Sequence, residues 1–327
     1  MPISSLRNKL RAHLRDQLGK RDLGDSHVPP DPTKGQLELP IGRELTSDRN
    51  ADKGGRSFYF FDFDDNVAFL TTPIYIFHNK SGVERALSSG EYAQIHRQLG
   101  KAGPLADYEL DFCDMKGSFR NFRDRDIGWI ERKVLGRKQI FIRDLATALG
   151  FPDLQWKGPS WSCFYHATLN QRPVSLITAR GHRPETIRQG IRLFVDKKYL
   201  PFEPNYLSIY PVTNEKVRAQ LGDVEHKQTV AQLKKAAIRA SVERAIAVYG
   251  PSPFHRFGMS DDDPHNVELI KEEMSELKNK YPEMSFFVIE TQAGRFTKWE
   301  VYSDRTEATL CAKDQDLGAL EQLILLP

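Results

Sequence analysis

Carboxylates gather at two places in this 327-residue chain, each at the end of an expected strand. Asp62, Asp64 and Asp65 follow the aromatic run Phe58, Tyr59, Phe60 and Phe61, and Asp261, Asp262 and Asp263 follow residues 254–259. Like charges at the end of a buried strand repel one another and desolvate poorly, so a fold keeps them chiefly where a cation neutralises them or one of them reacts. Strand alternation puts Asp62 and Asp64 on one side and Phe63 on the other, which predicts that the two carboxylates act together. Taken alone, an Asp-rich turn with Asp65 and Asn66 at its tip is an equally good reading. Further residues carry matching chemistry: Thr178 closes the run 174–178 with a hydroxyl, and Lys227 offers an ammonium at the expected opening of a long helix. Carboxylates from two strands suit Mg²⁺, and a hydroxyl with an ammonium suits phosphate oxygens.

These residues need a scaffold that brings distant stretches to one edge. From residue 173 onward, β-prone runs at 174–178, 205–212, 254–259 and 284–291 alternate with helical patterns at 184–198, 222–249 and 264–280, and an edge strand is expected at 296–302 after Gly294. Pro184 stands where a first helical turn accepts it. Alternation of this kind predicts an α/β fold with a doubly wound parallel sheet, whose ligands bind at the carboxyl ends of the strands. Residues 56–78 and 166–327 are assigned to this core.

Residues 79–165 break the alternation and read as an inserted cap, with helical segments at 90–99 and 140–149; residues 68–77 suggest a short hairpin near the site. Arg and aromatic residues interleave from Phe119 to Trp129, but the Asp residues among them favour surface salt bridges over a nucleic-acid contact. Arg120, Arg123 and Trp129 are the specificity candidates there. In residues 1–55, Leu6, Leu10, Leu14 and Leu18 recur among basic residues as an amphipathic helix, expected to dock on its own body or on a second copy. Organellar targeting is the lesser reading, and residues 22–55 read as a Pro- and Gly-rich strap.

Composition narrows the function. A net charge of +3 is far from the concentrated positive field of a dedicated nucleic-acid binder and fits a small acidic substrate. Three isolated cysteines, Cys113, Cys163 and Cys311, match no paired metal-ligand spacing and cannot all pair, which predicts a reducing cytoplasmic setting. No apolar run approaches the length of a membrane span, and the first twenty residues lack a secretory core, so a soluble chain is expected. The absence of a Gly-x-x-x-x-Gly-Lys-Ser/Thr loop argues against kinase activity.

In this order, Asp62-Phe63-Asp64, Thr178, Lys227 (with Lys216 as the weaker match) and Asp261-Asp262-Asp263 resemble the four motifs of the haloacid dehalogenase-like hydrolase superfamily, over residues 57–78 and 173–291. Asn66 departs from the Thr of many members. The resemblance implies a Rossmann-like core with a cap and a Mg²⁺-dependent phosphatase working through a phospho-aspartyl intermediate. Asp62 is then the nucleophile and Asp64 the general acid and base; Thr178 holds a phosphate oxygen, and Lys227 holds both the phosphate and the Asp62 carboxylate. The metal falls to Asp62, the backbone carbonyl of Asp64, and Asp261 or Asp262, with a lean to Asp262 supported by Asn266. A phosphorylated small molecule is the expected substrate, a polynucleotide or phosphoprotein the runner-up. A non-catalytic ligand-binding module of the same fold is the alternative from another class. A phosphorylated receiver domain is rejected because it is shorter and orders these elements differently.

Overall fold

The computed structural model describes residues 45–302, without 102, 114 and 292–295, together with 309–310. The expected amino-terminal helix, most of the strap and Gly294 lie outside the described residues.

The strands in chain order are β1 (Ser57–Phe61), β2 (Ile74–His78), β3 (Glu84–Leu87), β4 (Tyr108–Glu109), β5 (Pro173–Thr178), β6 (Asn205–Pro211), β7 (Arg256–Asp261), β8 (Ser285–Glu290), β9 (Thr297–Val301) and β10 (Thr309–Leu310). The helices are α1 (Ser89–Ile95), α2 (Trp129–Lys133), α3 (Ile140–Ala148), α4 (Asp153–Trp156), α5 (Trp161–Leu169), α6 (Pro184–Asp196), α7 (Glu215–Gln220), α8 (Val230–Tyr249) and α9 (Pro264–Lys280). The main sheet runs β10-β9-β8-β7-β1-β5-β6. Strands β6, β5, β1, β7 and β8 are parallel, and β9 and β10 close one edge antiparallel.

β1 sits between β5 and β7, so its carboxyl end is flanked by theirs. Side-chain alternation in this doubly covered strand feeds two cores. Phe58 and Phe60 join Ile177, Phe257 and Met259 under α8 and α9. Phe61 and Phe63 join Val174, Leu176, Phe164 and Phe194 under α3, α5 and α6. Asp62 therefore follows the parity of Phe58 and Phe60 and comes out on the α8 side.

Strands β3-β2-β4 form a separate small sheet over its own cluster of Ile76, Leu87 and Leu105. The inserted segment divides differently from the expected 79–165. β2, assigned to the core, belongs to the small sheet, whereas Phe141, Leu145, Trp156, Trp161 and Phe164 of α3 to α5 are buried in the same core as β1, β5 and α6. Their apolar spacing buries them against the main sheet, and that destination is not visible in a helical pattern alone.

Candidate functional site

Asp62 is the first residue beyond β1, and its backbone N–H donates to the Ser260 carbonyl at 3.0 Å, tying the end of β1 to the end of β7. The chain then turns at once. Val67 and Ala68 donate to the Phe63 carbonyl, and Asp65 takes a left-handed backbone with φ 57°. Asn66 holds this turn: its amide nitrogen donates to the carbonyls of Asp62 and Ser260 and to the Ser260 hydroxyl, while its oxygen accepts from Ser160 and Thr291, both at 2.8 Å. The side chain is fully buried with its polar atoms engaged, which makes it a joint between β1, β7, the residue after β8 and the entry to α5. Gly158 packs so closely on Asn66 and Val67 that a Cβ there would collide with their backbone.

The turn separates two carboxylates that strand alternation had placed together. Asp62 faces α8, where the Lys234 ammonium lies 3.1 Å from it and 2.6 Å from Asp261. Lys234 is 3% exposed and Asp261 fully buried, so this is an interior ion cluster. Asp62, Asp261 and Asp262 each offer a carboxylate oxygen within 4.8 Å of the others. Asp261 also accepts from the Asp263 backbone and the Asn266 amide. Asp263 caps α9, accepting from the backbone of His265, with Pro264 in the first turn.

Asp64 turns the other way. Arg180 Nε and Nη2 grip its two carboxylate oxygens at 2.6–3.0 Å, and Thr178 donates to it at 3.2 Å. Its carboxylate is thus not among the three gathered oxygens, although a metal contact through its backbone carbonyl is a separate matter. Arg180 is fully buried, donates also to Thr72, and lies between the rings of Phe122 and Phe141 at 4.7 and 4.8 Å from their centroids.

Electrostatics distinguish the two halves. Burial pushes the Asp62 carboxyl well above the usual carboxylate range, with Asp261 and Asp64 adding to the rise and Lys234 opposing it. Burial does the same to Asp262, reinforced by Asp261 and Asp62. Burial works against the Lys234 ammonium, yet the charges of Asp261 and Asp62 outweigh it and raise its pKa. With all three carboxyls ionised, as cation ligation requires, three carboxylates against one ammonium leave an excess of two negative charges. A buried cluster of hard oxygen donors with that excess can bind a metal ion, and a divalent cation balances it.

Thr178 lies at the carboxyl end of β5 as expected, fully buried beside Asp64. Lys227 does not reach the site. α8 begins at Val230, not near 222, because Thr229 and Gln232 form a reciprocal cap there; Lys227 stands exposed in the loop before it, its ammonium paired with Glu225 and its backbone N–H donating to Asp223. Lys216, the weaker candidate, is in the short α7. The site ammonium belongs to Lys234, which sequence reasoning missed. Its signal was a lone lysine on the stripe Lys234, Ala237, Ile238, Ser241 and Ala245, all buried. Arg180 was missed as well, and nothing but its place two residues beyond Thr178 marked it.

The inserted segment meets the site from the β5 side. Gly181 donates to the Phe122 carbonyl at 2.8 Å, and Asp124 accepts from the Arg183 backbone and the Thr186 hydroxyl at the start of α6. Arg120 pairs with Glu84 and stacks on Tyr75, in line with self-paired charges, and Trp129 is exposed. No helix among the described residues is long and apolar enough to cross a membrane. No protein-family model, curated protein or solved structure matches this chain.

Proposed function

We propose that this chain is a Mg²⁺-dependent phosphatase of the haloacid dehalogenase-like type, acting on a phosphomonoester through a phospho-aspartyl intermediate on Asp62. The observation that carries the reading is the position of Asp62. It is a buried carboxylate at the end of the central strand, within 4.8 Å of Asp261 and Asp262, facing an interior lysine and next in sequence order to a carboxylate held apart from it.

Asp62, Asp261 and Asp262 are the residues that would hold the cation. When bound, it would polarise the phosphoryl oxygens and offset the charge developing on them. An Asp62 oxygen attacks phosphorus; the bond from phosphorus to the ester oxygen breaks, and that oxygen takes a proton from Asp64. In the second half, water loses a proton to Asp64 and attacks the same phosphorus, releasing phosphate and restoring the Asp62 carboxylate. Lys234 opposes the rise that burial gives the Asp62 carboxyl and orients it, and the Thr178 hydroxyl beside Asp64 would bind a phosphate oxygen. Arg120, Arg123 and Arg125 of the inserted segment make contacts within the protein, which favours a small phosphorylated substrate over a nucleic-acid or phosphoprotein one.

Hydrolysis of an aryl phosphate with and without Mg²⁺ tests the reading. Turnover is expected only with the metal, and Asp62→Asn should lower kcat by at least about 10³-fold, as removal of a nucleophile does. A folded wild type that neither turns over phosphomonoesters nor binds Mg²⁺ would instead be a non-catalytic module.

A further inference from the structure

We infer that Arg180 is a positioning residue whose task is to hold Asp64 out of the metal cluster and reserve it for proton transfer; the inference rests on the phosphatase reading. Asp62 and Asp64 are separated by one residue, and a short loop could carry both carboxylates toward one cation. A fourth ionised carboxylate would raise the excess negative charge from two to three, beyond what one divalent ion neutralises, and a carboxylate drawn onto the cation is no longer free to reach the leaving-group oxygen. Arg180 resolves this by giving Asp64 its own counter-charge, gripped by two nitrogens of one planar fork.

The surroundings fix the fork as well as Asp64, which Thr178 also holds. The guanidinium is sandwiched by Phe122 of the inserted segment and Phe141 of α3, and its Nη2 donates to Thr72, which in turn donates to Asp144. The Phe141 ring lies so close to Gly190 of α6 that a Cβ there would overlap it. Arg180 Nη1 is buried with no hydrogen-bond partner among the described residues. Burying a guanidinium with an unsatisfied donor gains little stability, so stability alone does not account for Arg180 here. Phe122 also ties the inserted segment to this fork, since its carbonyl accepts from Gly181 beside Arg180.

The test is a double-mutant cycle on the full chain with two readouts: aryl phosphate kinetics and Mn²⁺ affinity by titration calorimetry. Arg180→Met should lower kcat by about 10–100-fold with KM within about threefold, the pattern of a misplaced catalytic group. In an Asp64→Asn background the same change should alter kcat by less than about twofold, because there is no longer a carboxylate to place. Mn²⁺ should bind Arg180→Met several-fold more tightly than wild type, and Asp64→Asn should cancel the gain. Arg180→Lys keeps the charge without the fork and should show both effects in the same direction but smaller; it also serves if the Met variant does not fold. Equal kcat losses in the two backgrounds would overturn the inference, as would Mn²⁺ affinity that does not change with Arg180. If Asp62→Asn leaves turnover untouched, the phosphatase reading fails, while the Mn²⁺ comparison still decides the role of Arg180.

Discussion

Two cations reach the same acidic turn from opposite sides of β1, and each handles its carboxylates differently. Lys234 comes from a helix and presents a point charge to two carboxylates, Asp62 and Asp261, of two neighbouring strands. Arg180 comes from the loop after β5 and spends a planar fork on one carboxylate, Asp64. The lysine side is nearly sealed, whereas the Asp64 side chain is 21% exposed. A compact ammonium bridges anions and leaves their remaining lone pairs open to a further cation; a bidentate guanidinium occupies both oxygens of its partner. One half of the turn thus gathers oxygen donors that can bind a metal ion, and the other pins a single carboxylate.

The sharpest way to break this comparison is to remove each cation in turn. Lys234→Met strands two interior carboxylates and should cost about 3–5 kcal/mol of unfolding free energy in urea melts, the range for removing one partner of a buried pair. Arg180→Met should cost less, about 2 kcal/mol, because Asp64 has access to water and the vacated space lies between two rings. Equal costs would mean that the two sides do not differ in the way their exposure indicates.

Much of this site was legible from residue types. The period-two alternation of the aromatic run in β1 assigned Phe63 to one face and Asp62 to the other, and the parallel alternation of strands and helices brought Asp62, Thr178 and Asp261 to adjacent strand ends. Three things were hidden. Asn66 reads as a turn residue, and its five hydrogen bonds go to four residues from four separate stretches of chain. The turn it holds ends strand alternation after Asp62, so the shared side of Asp62 and Asp64 did not survive. The start of α8 depended on Thr229 and Gln232, a reciprocal cap that was present in the sequence, while the helical pattern drew the boundary back to residue 222. That displacement alone moved the expected ammonium from position 234 to position 227.

The loop carrying Arg180 offers a smaller, pH-dependent test of how dry the reserved side is. His182, fully buried against Phe141, has neither ring nitrogen hydrogen-bonded among the described residues. Burial, helped by the charge of Arg180, lowers its pKa from the ordinary 6.5 to about 2. The folded protein then keeps this ring neutral while the unfolded chain protonates it below pH 6.5, so stability is lost as pH falls from 6.5 toward 2, by up to about 1.4 kcal/mol per pH unit. Asp62 and Asp262, with raised pKa values, act with the opposite sign, so the contribution is read as a difference between wild type and His182→Leu. The variant should be the less acid-sensitive of the two between pH 6.5 and 5; parallel curves would show that water reaches the ring.

The smallest effect belongs to Lys227, and its smallness is what it tests. The order of the motifs put Lys227 beside Asp62; the ammonium that lies there is that of Lys234, seven positions later and in the second turn of α8. Lys227 is exposed beside an exposed Glu225, an arrangement in which solvent screens the pair and neither partner is held. Its backbone N–H, which does hold the loop through Asp223, survives any side-chain change. Lys227→Ala should therefore leave kcat/KM on the aryl phosphate within about twofold of wild type, as surface substitutions do. A larger loss would mean that the loop before α8 folds over the phosphate during turnover and that Lys227 then joins Lys234 at the site.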